Sequence, residues 1–340
     1  MGAALTAAAL ASVALYPALA SARPSCFGKR ATKVGHGKIV GTEHRDVIVG
    51  LGGKNKIIGN GGSDVICGGR GNDRILLSRH PNSPGIDEPS ILIGGPGNDF
   101  IRGGYRDDLL VGDDAKHSGR ARANAGRDDL EGEFGDDREI GDNYSKRGSA
   151  SGGGNDVLRS QKGNDRLIGD SAVDGNGTAK GGGRDHFEGS SGKDLVIGDD
   201  YSRAGNAKGG GDDGCAKDRN SPICRQNKRR DTGEAHKPAL NGGPAKDVLV
   251  GDSYTVTGAA TGSGNDDLKE LGAGNNKLYG DNLAKRSHKE SGGGDDTLNG
   301  ARGSELLNGG PAFDNCRGGG GNDRYVACER SSKFAFAPLF

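Results

Sequence analysis

Residues 41–76 read GTEHRDVIV, GLGGKNKII, GNGGSDVIC and GGRGNDRIL, four consecutive blocks of nine. Gly opens each block at 41, 50, 59 and 68; the sixth place holds Asp46, Asn55, Asp64 and Asp73; the eighth holds Ile48, Ile57, Ile66 and Ile75. Three columns that agree through four blocks mark a structural repeat. The last three residues of a block suit a short strand whose alternation sends only the eighth side chain inward. The Gly-rich six before it must turn, because Gly supplies the positive φ and close backbone approach of a tight bend. Two blocks then close one coil of 18 residues. Each sixth-place residue stacks on its counterpart about 4.8 Å away in the next coil.

The same frame returns near the C-terminus, with Gly300, Gly309 and Gly318, sixth-place Asp296, Glu305, Asp314 and Asp323, and eighth-place Leu298, Leu307, Cys316 and Tyr325. Between the two runs it recurs in pairs at Asp99 and Asp108, Asp128 and Asp137, Asp156 and Asp165, and Asp185 and Asp194. It continues at Asp213, Asp247 and Asp266 with Asn276. All these sixth-place residues are candidate metal ligands. Carboxylates stacked at strand spacing repel by roughly 1 kcal/mol in water and several times that when partly buried. A cation reverses the sign. Carboxylates and turn carbonyls form an all-oxygen donor set, which suits the six to eight oxygen ligands of Ca²⁺ better than the tight octahedron of Mg²⁺ or the His and Cys preference of Zn²⁺.

The block pattern, G-G-x-G-x-D-x-U-x, resembles the hemolysin-type (RTX) calcium-binding nonapeptide-repeat family over residues 41–326. The resemblance implies an all-β parallel β-roll, a β-helix solenoid in which the first six residues of each block bind Ca²⁺ and the last three form a strand. It also implies several Ca²⁺ ions.

Composition points the same way. Of 340 residues 66 are Gly, aromatic residues are 4%, and Trp is absent. Interior Gly costs about 1 kcal/mol relative to Ala in a helix, so a mainly helical protein is excluded. So few large apolar side chains cannot fill two ordinary globular cores. Lys and Arg number 46 against 46 Asp and Glu, a balance that gives no reason to expect nucleic acid as a partner. Residues 3–20, AALTAAALASVALYPALA, carry no charge and precede small-residue cleavage patterns, as a secretory signal peptide does. The expected organisation is a signal peptide at 1–22, a cap at 23–40, the β-roll at 41–326 and a second cap at 327–340, in a secreted, extracellular chain with no membrane span after cleavage.

A second period overlies the first. Gly-Asp pairs begin at 112, 141, 169, 198, 251 and 280, and each opens a polar stretch such as DNYSKRGSAS or DDYSRAGNAK. These stretches read as loops protruding from one edge, a basic ladder that could bind an anionic cell-surface glycan. The largest, 215–238, contains Lys228-Arg229-Arg230. Six cysteines allow fifteen pairings; proximity favours Cys215 with Cys224 and Cys316 with Cys328, leaving Cys26 with Cys67. Ser171 and Ser253 follow Gly-Asp as in GDS-type hydrolases, but the register that places Asp114 and Asn143 at the same point already explains them. No H-E-x-x-H or G-x-S-x-G occurs. The expected function is therefore structural calcium binding without catalysis; a calcium-dependent adhesin or glycan binder is the alternative, and a secreted hydrolase the weakest reading.

Overall fold

The computed structural model describes residues 23–77, 88–123, 126–213, 240–243, 245–270, 274–286 and 289–333. Strands of two to six residues pair in parallel from coil to coil. Two twelve-stranded sheets run the length of the molecule, sheet I from Lys33–Gly35 to Arg324–Val326 and sheet II from Lys38–Val40 to Arg330–Lys333. Eighth-place residues stack in register, Ile48 on Ile66 on Leu92 in sheet I and Ile57 on Ile75 on Ile101 in sheet II. Together they form one fully buried aliphatic column between the sheets. One member breaks the rule: Glu139, fully buried, stands between Leu110 and Leu167.

The polar inserts do not protrude as loops. Five contribute two more short strands and the first contributes one, Ala115–Lys116, with a single bridge from Ala121 to Ala150; these stack into a six-stranded sheet III, from Ala115–Lys116 to Leu283–Ala284, and a five-stranded sheet IV, from Ala150–Ser151 to Glu290–Ser291. A coil of 18 residues thereby widens to 28 or 29, as in the register of Asp128 on Asp156 on Asp185. Sheets III and IV meet over small residues, Ala121, Ala150, Val173 and Ala179. The other face of sheet III lays Tyr144, Tyr201 and Tyr254 over the ninth-place residues of sheet I, including Val111, Ile140, Ile168 and Ile197. So the expectation that only the eighth place is buried fails for sheet I, and in sheet II it fails at seventh-place Val157 and His186, which are also buried. The physical reason for sheet I is backbone satisfaction: a polar insert with a similar insert one coil away fills its amide and carbonyl ladder there, and small side chains let it pack.

The inserts are thus strands rather than protruding loops, and their exposed basic residues do not form one unbroken row among the described residues. Exposed Lys180 pairs with Lys208 on sheet IV, but the row continues as Thr261 and Ser291. Residues 215–238, with Cys215 and Cys224, lie outside the described residues, as do the signal segment and the C-terminal phenylalanines. The solenoid also reaches beyond 41–326. Lys33–Gly35 and Lys38–Val40 already belong to sheets I and II, and Arg330–Lys333 pairs with Asn315–Gly319. What remains of the N-terminal cap is an antiparallel hairpin, Ser25–Cys26 with Lys29–Arg30, held to the third coil by Cys26–Cys67. Cys316–Cys328 closes the other end.

Candidate metal centre

Nearly every sixth-place residue donates its backbone amide to the side chain of its counterpart in the next coil; Asn276 and Asp323 accept such a bond without passing it on. Along the turns entering sheet I the bonds run from Asp46 to Asp64 Oδ1 (2.9 Å), from Asp108 to Asp137, Asp137 to Asp165, Asp165 to Asp194, Asp194 to Asp247 and Asp247 to Asn276 Oδ1, and from Glu305 to Asp323. Along those entering sheet II they run from Asn55 to Asp73 and on through Asp99, Asp128, Asp156, Asp185, Asp213, Asp266, Asp296 and Asp314. The stacking is continuous through Asp213 and Asp247, which the sequence left as lone sites. Two members were missed. Ser90 stands between Asp64 and Asp108, and Glu329 Oε2 accepts from Asp314 at 2.7 Å. For Ser90 the spacing was the available signal, since it lies 18 residues before Asp108; Glu329, 15 residues after Asp314, falls outside the frame.

The ladder satisfies one carboxylate oxygen and leaves the other. Asp73, Asp99, Asp137, Asp165, Asp194 and Asp314 each bury an Oδ2 that receives no hydrogen bond. The turn's first glycine shows what surrounds it. A methyl group on Gly68 would lie 2.5 Å from the Gly94 carbonyl oxygen and 2.6 Å from Asp73 Oδ2. One on Gly103 would lie 2.5 Å from the Gly132 carbonyl oxygen and 3.0 Å from Asp108 Oδ2. At Gly68 carboxylate and carbonyl oxygens converge on an Asp73 Oδ2 that receives no hydrogen bond, while Asp108 Oδ2 accepts the Gly104 amide at 2.9 Å.

Turn 50–55 displays the same cradle filled by a hydrogen-bond donor of the protein's own. Asn55 Oδ1 accepts the Gly37 amide at 2.8 Å, which fixes the orientation of its side chain. Its Nδ2 then donates to the carbonyls of Leu51 (2.7 Å), Gly53 (3.0 Å) and Gly68 (3.1 Å). An Asp in that place puts an acceptor where the amide put a donor.

Electrostatics follow. Burial, with Asp73 nearby, pushes Asp99 up to about 8. Burial and the neighbours Asp108, Glu139 and Asp165 push Asp137 to about 10. Asp247 rises to about 6 through burial. In each case a backbone amide pulls the other way without winning. Asp46 is the exception: burial raises it, but the Thr42 amide (2.7 Å), the Thr42 hydroxyl (2.9 Å) and the Thr32 hydroxyl (3.1 Å) hold it below the ordinary value. A cation would do for the other turns what Thr42 does for Asp46.

The widened coils add acids that the sequence reading passed over. Asp113, Asp142, Asp170, Asp199, Asp252 and Asp281 are all buried at the neck of an insert. Ser171 and Ser253, the serines of the GDS-like motifs, are fully buried; Ser171 Oγ donates to the Gly152 carbonyl and Ser253 Oγ accepts the Gly209 amide.

Among the described residues no three His, Cys, Asp or Glu side chains gather at one point, so any metal site needs carbonyl ligands as well. All-oxygen cradles with unmet negative charge fit a hard cation of tolerant geometry, and Ca²⁺ is that cation. Fold and turns therefore define a parallel β-roll with stacked, oxygen-lined cation turns. The RTX calcium-binding nonapeptide repeat family matches residues 40–75, 91–115, 120–139, 151–174, 181–200 and 290–325, and the chain is an RTX-type calcium-binding repeat protein. No curated protein and no solved structure matches the chain.

Proposed function

We propose that this is a secreted, non-enzymatic protein whose folding and calcium binding are one equilibrium. The carrying observation is the contrast within the turns: three carbonyls converge on the Asn55 amide, while the Asp turns bring a second acceptor to the same cradle. Buried unpaired carboxylates are costly, and the aliphatic column supplies only one or two large side chains per coil against the chain entropy of the whole coil. Ca²⁺ removes the first cost and thereby lets the column assemble. The apolar, uncharged segment at 3–20 and the disulfides support export. The burial of Ser171 and Ser253 supports the absence of catalysis.

Far-UV circular dichroism during a Ca²⁺ titration tests the reading. Strand signal is expected to appear with a midpoint of about 10⁻⁴ to 10⁻³ M, the range of extracellular modules. Mg²⁺ should not replace it. A chain equally folded in excess EGTA would overturn the proposal.

A further inference from the structure

In uninterrupted turns the second residue varies: Thr42, Leu51, Asn60, Gly69 and Gly95 hold that place. In the six widened turns it is always Asp, at 113, 142, 170, 199, 252 and 281, and in no uninterrupted turn is it Asp. The structure shows what the substitution accompanies. Gly112 and Asp128 keep the relation of Gly68 and Asp73: a methyl on Gly112 would meet Asp128 Oδ2 and the carbonyl of Gly141 in the next coil. Gly126 keeps the fourth place, stacked on Gly97. Only the third residue is replaced, by the insert, and an inward carboxylate stands at its neck.

These carboxylates are buried and short of donors. Asp170 is 0% exposed, and neither of its oxygens receives a hydrogen bond. Asp142 takes the Gly154 amide on Oδ2 at 2.8 Å, leaving Oδ1 without one. A methyl on Gly154 would lie 2.6 Å from the Gly126 carbonyl oxygen, 3.0 Å from Asp156 Oδ2 and 3.1 Å from Asp142 Oδ1. Three oxygens from two successive coils thus surround one point, and two of them are carboxylate. Two of these three oxygens recur at Gly264, near Asp252 Oδ1 and the Gly211 carbonyl. At the end of the column Gly310, with no side chain, covers Asp281.

We propose that the six widened turns form a second class of Ca²⁺ site, in which the second-place Asp shares the ion with the sixth-place Asp and a fourth-place Gly carbonyl of the adjoining coil. This inference rests on the calcium reading above. It makes the insert and the extra aspartate one unit: a coil can widen only where the neck acquires a ligand.

The test compares the full wild-type chain with Asp170→Asn, which keeps the side chain's shape and removes its charge, and with Asp165→Asn in the opposite turn as a control for an ordinary site. Calcium bound at saturation is counted by equilibrium dialysis, with circular dichroism confirming folding. Asp170→Asn is expected to fold at high Ca²⁺ yet bind at least one ion fewer per chain. An unchanged count and midpoint would mean that shared protons, not cations, hold the column, and would overturn the assignment. Should Asp170→Asn fail to fold, Asp113→Asn at the column's first coil carries the same two outcomes. Failure of both to fold while Asp165→Asn folds would make these carboxylates structural and also overturn it. A wild-type chain that binds no Ca²⁺ would instead sink the calcium reading itself.

Discussion

The narrow coils before residue 77 and the widened coils between 109 and 295 are built on one turn but treat buried charge in opposite ways. Near the N-terminus the protein supplies its own donors: Thr42 and Thr32 serve Asp46, and the Asn55 amide fills the carbonyl cradle. In the widened coils donors are scarce and acids are doubled, with a second-place and a sixth-place Asp at every neck. The first region meets part of its buried charge itself and leaves Asp73 Oδ2 unmet, while the second leaves far more for something outside the chain to cancel. A solenoid that starts from a partly self-supplied, disulfide-tied end and extends through more ion-dependent coils has a built-in direction of assembly.

The largest expected effect that separates the two regions is a pH response. Asp99, Asp137 and Asp247 have folded-state values raised from 3.8 to about 8, about 10 and about 6. A carboxyl raised on folding stabilises the fold fully below its unfolded value and loses that contribution as pH rises through the folded one. Calcium-free protein should therefore gain strand signal as pH falls from about 9 to about 4. With Ca²⁺ present the slope reverses, since protons and the metal compete for the same oxygens. Asp46, lowered rather than raised, is ionised throughout that window and contributes nothing to the change until the pH falls towards 4. Circular dichroism of calcium-stripped and calcium-loaded chains across pH checks it, and parallel slopes would remove the distinction between the regions.

A smaller, more local effect should follow from making one narrow turn like its neighbours. Asn55→Asp exchanges the amide that binds Leu51, Gly53 and Gly68 carbonyls for an acceptor. The loss of those hydrogen bonds should destabilise the calcium-free chain by about 1–3 kcal/mol. At saturating Ca²⁺ the variant should bind one additional ion and recover most of that loss, seen as a higher count in dialysis and a stronger dependence of melting temperature on Ca²⁺. Destabilisation that calcium does not relieve would mean that the cradle is not a cation site.

The nine-residue frame was legible because each of its columns has one physical job: Gly for the bend, Asp or Asn for the ladder, and Ile or Leu for the core. Hence the two main sheets and the coil stacking follow from residues 41–76 alone. The inserts were misread because DNYSKRGSAS has no apolar alternation, and polarity without period reads as loop. What orders it is a copy one coil away. The sign of this lay in columns, not stretches: Tyr144, Tyr201 and Tyr254 and Ala150, Ala179, Ala207 and Ala260 keep the spacing of the Gly-Asp marks. The second-place aspartates were visible but taken as loop openings, because their chemistry depends on a neck that only the fold closes. Glu139 had no signal: nothing local says that an acid may occupy the aliphatic column, where burial raises its carboxyl well above the ordinary value despite the Gly132 amide at 3.1 Å.

The smallest expected effect decides whether the inserts are loops or a second lobe. Ala179 is 0% exposed and pairs with Ala150 and Ala207 in sheet IV, with Val173 in the same small-residue core between sheets III and IV. If that core is packed, Ala179→Leu adds methylenes where there is no room and should cost about 1–3 kcal/mol. On a solvated loop the same change stays within about 0.5 kcal/mol. The comparison is best made at saturating Ca²⁺ by urea denaturation, so that ion binding does not confound it, with exposed Lys180→Leu one residue along the same strand as the reference. Equal midpoints for the two variants would return the inserts to loops, and with them the expectation that they can be shortened without harm to the fold.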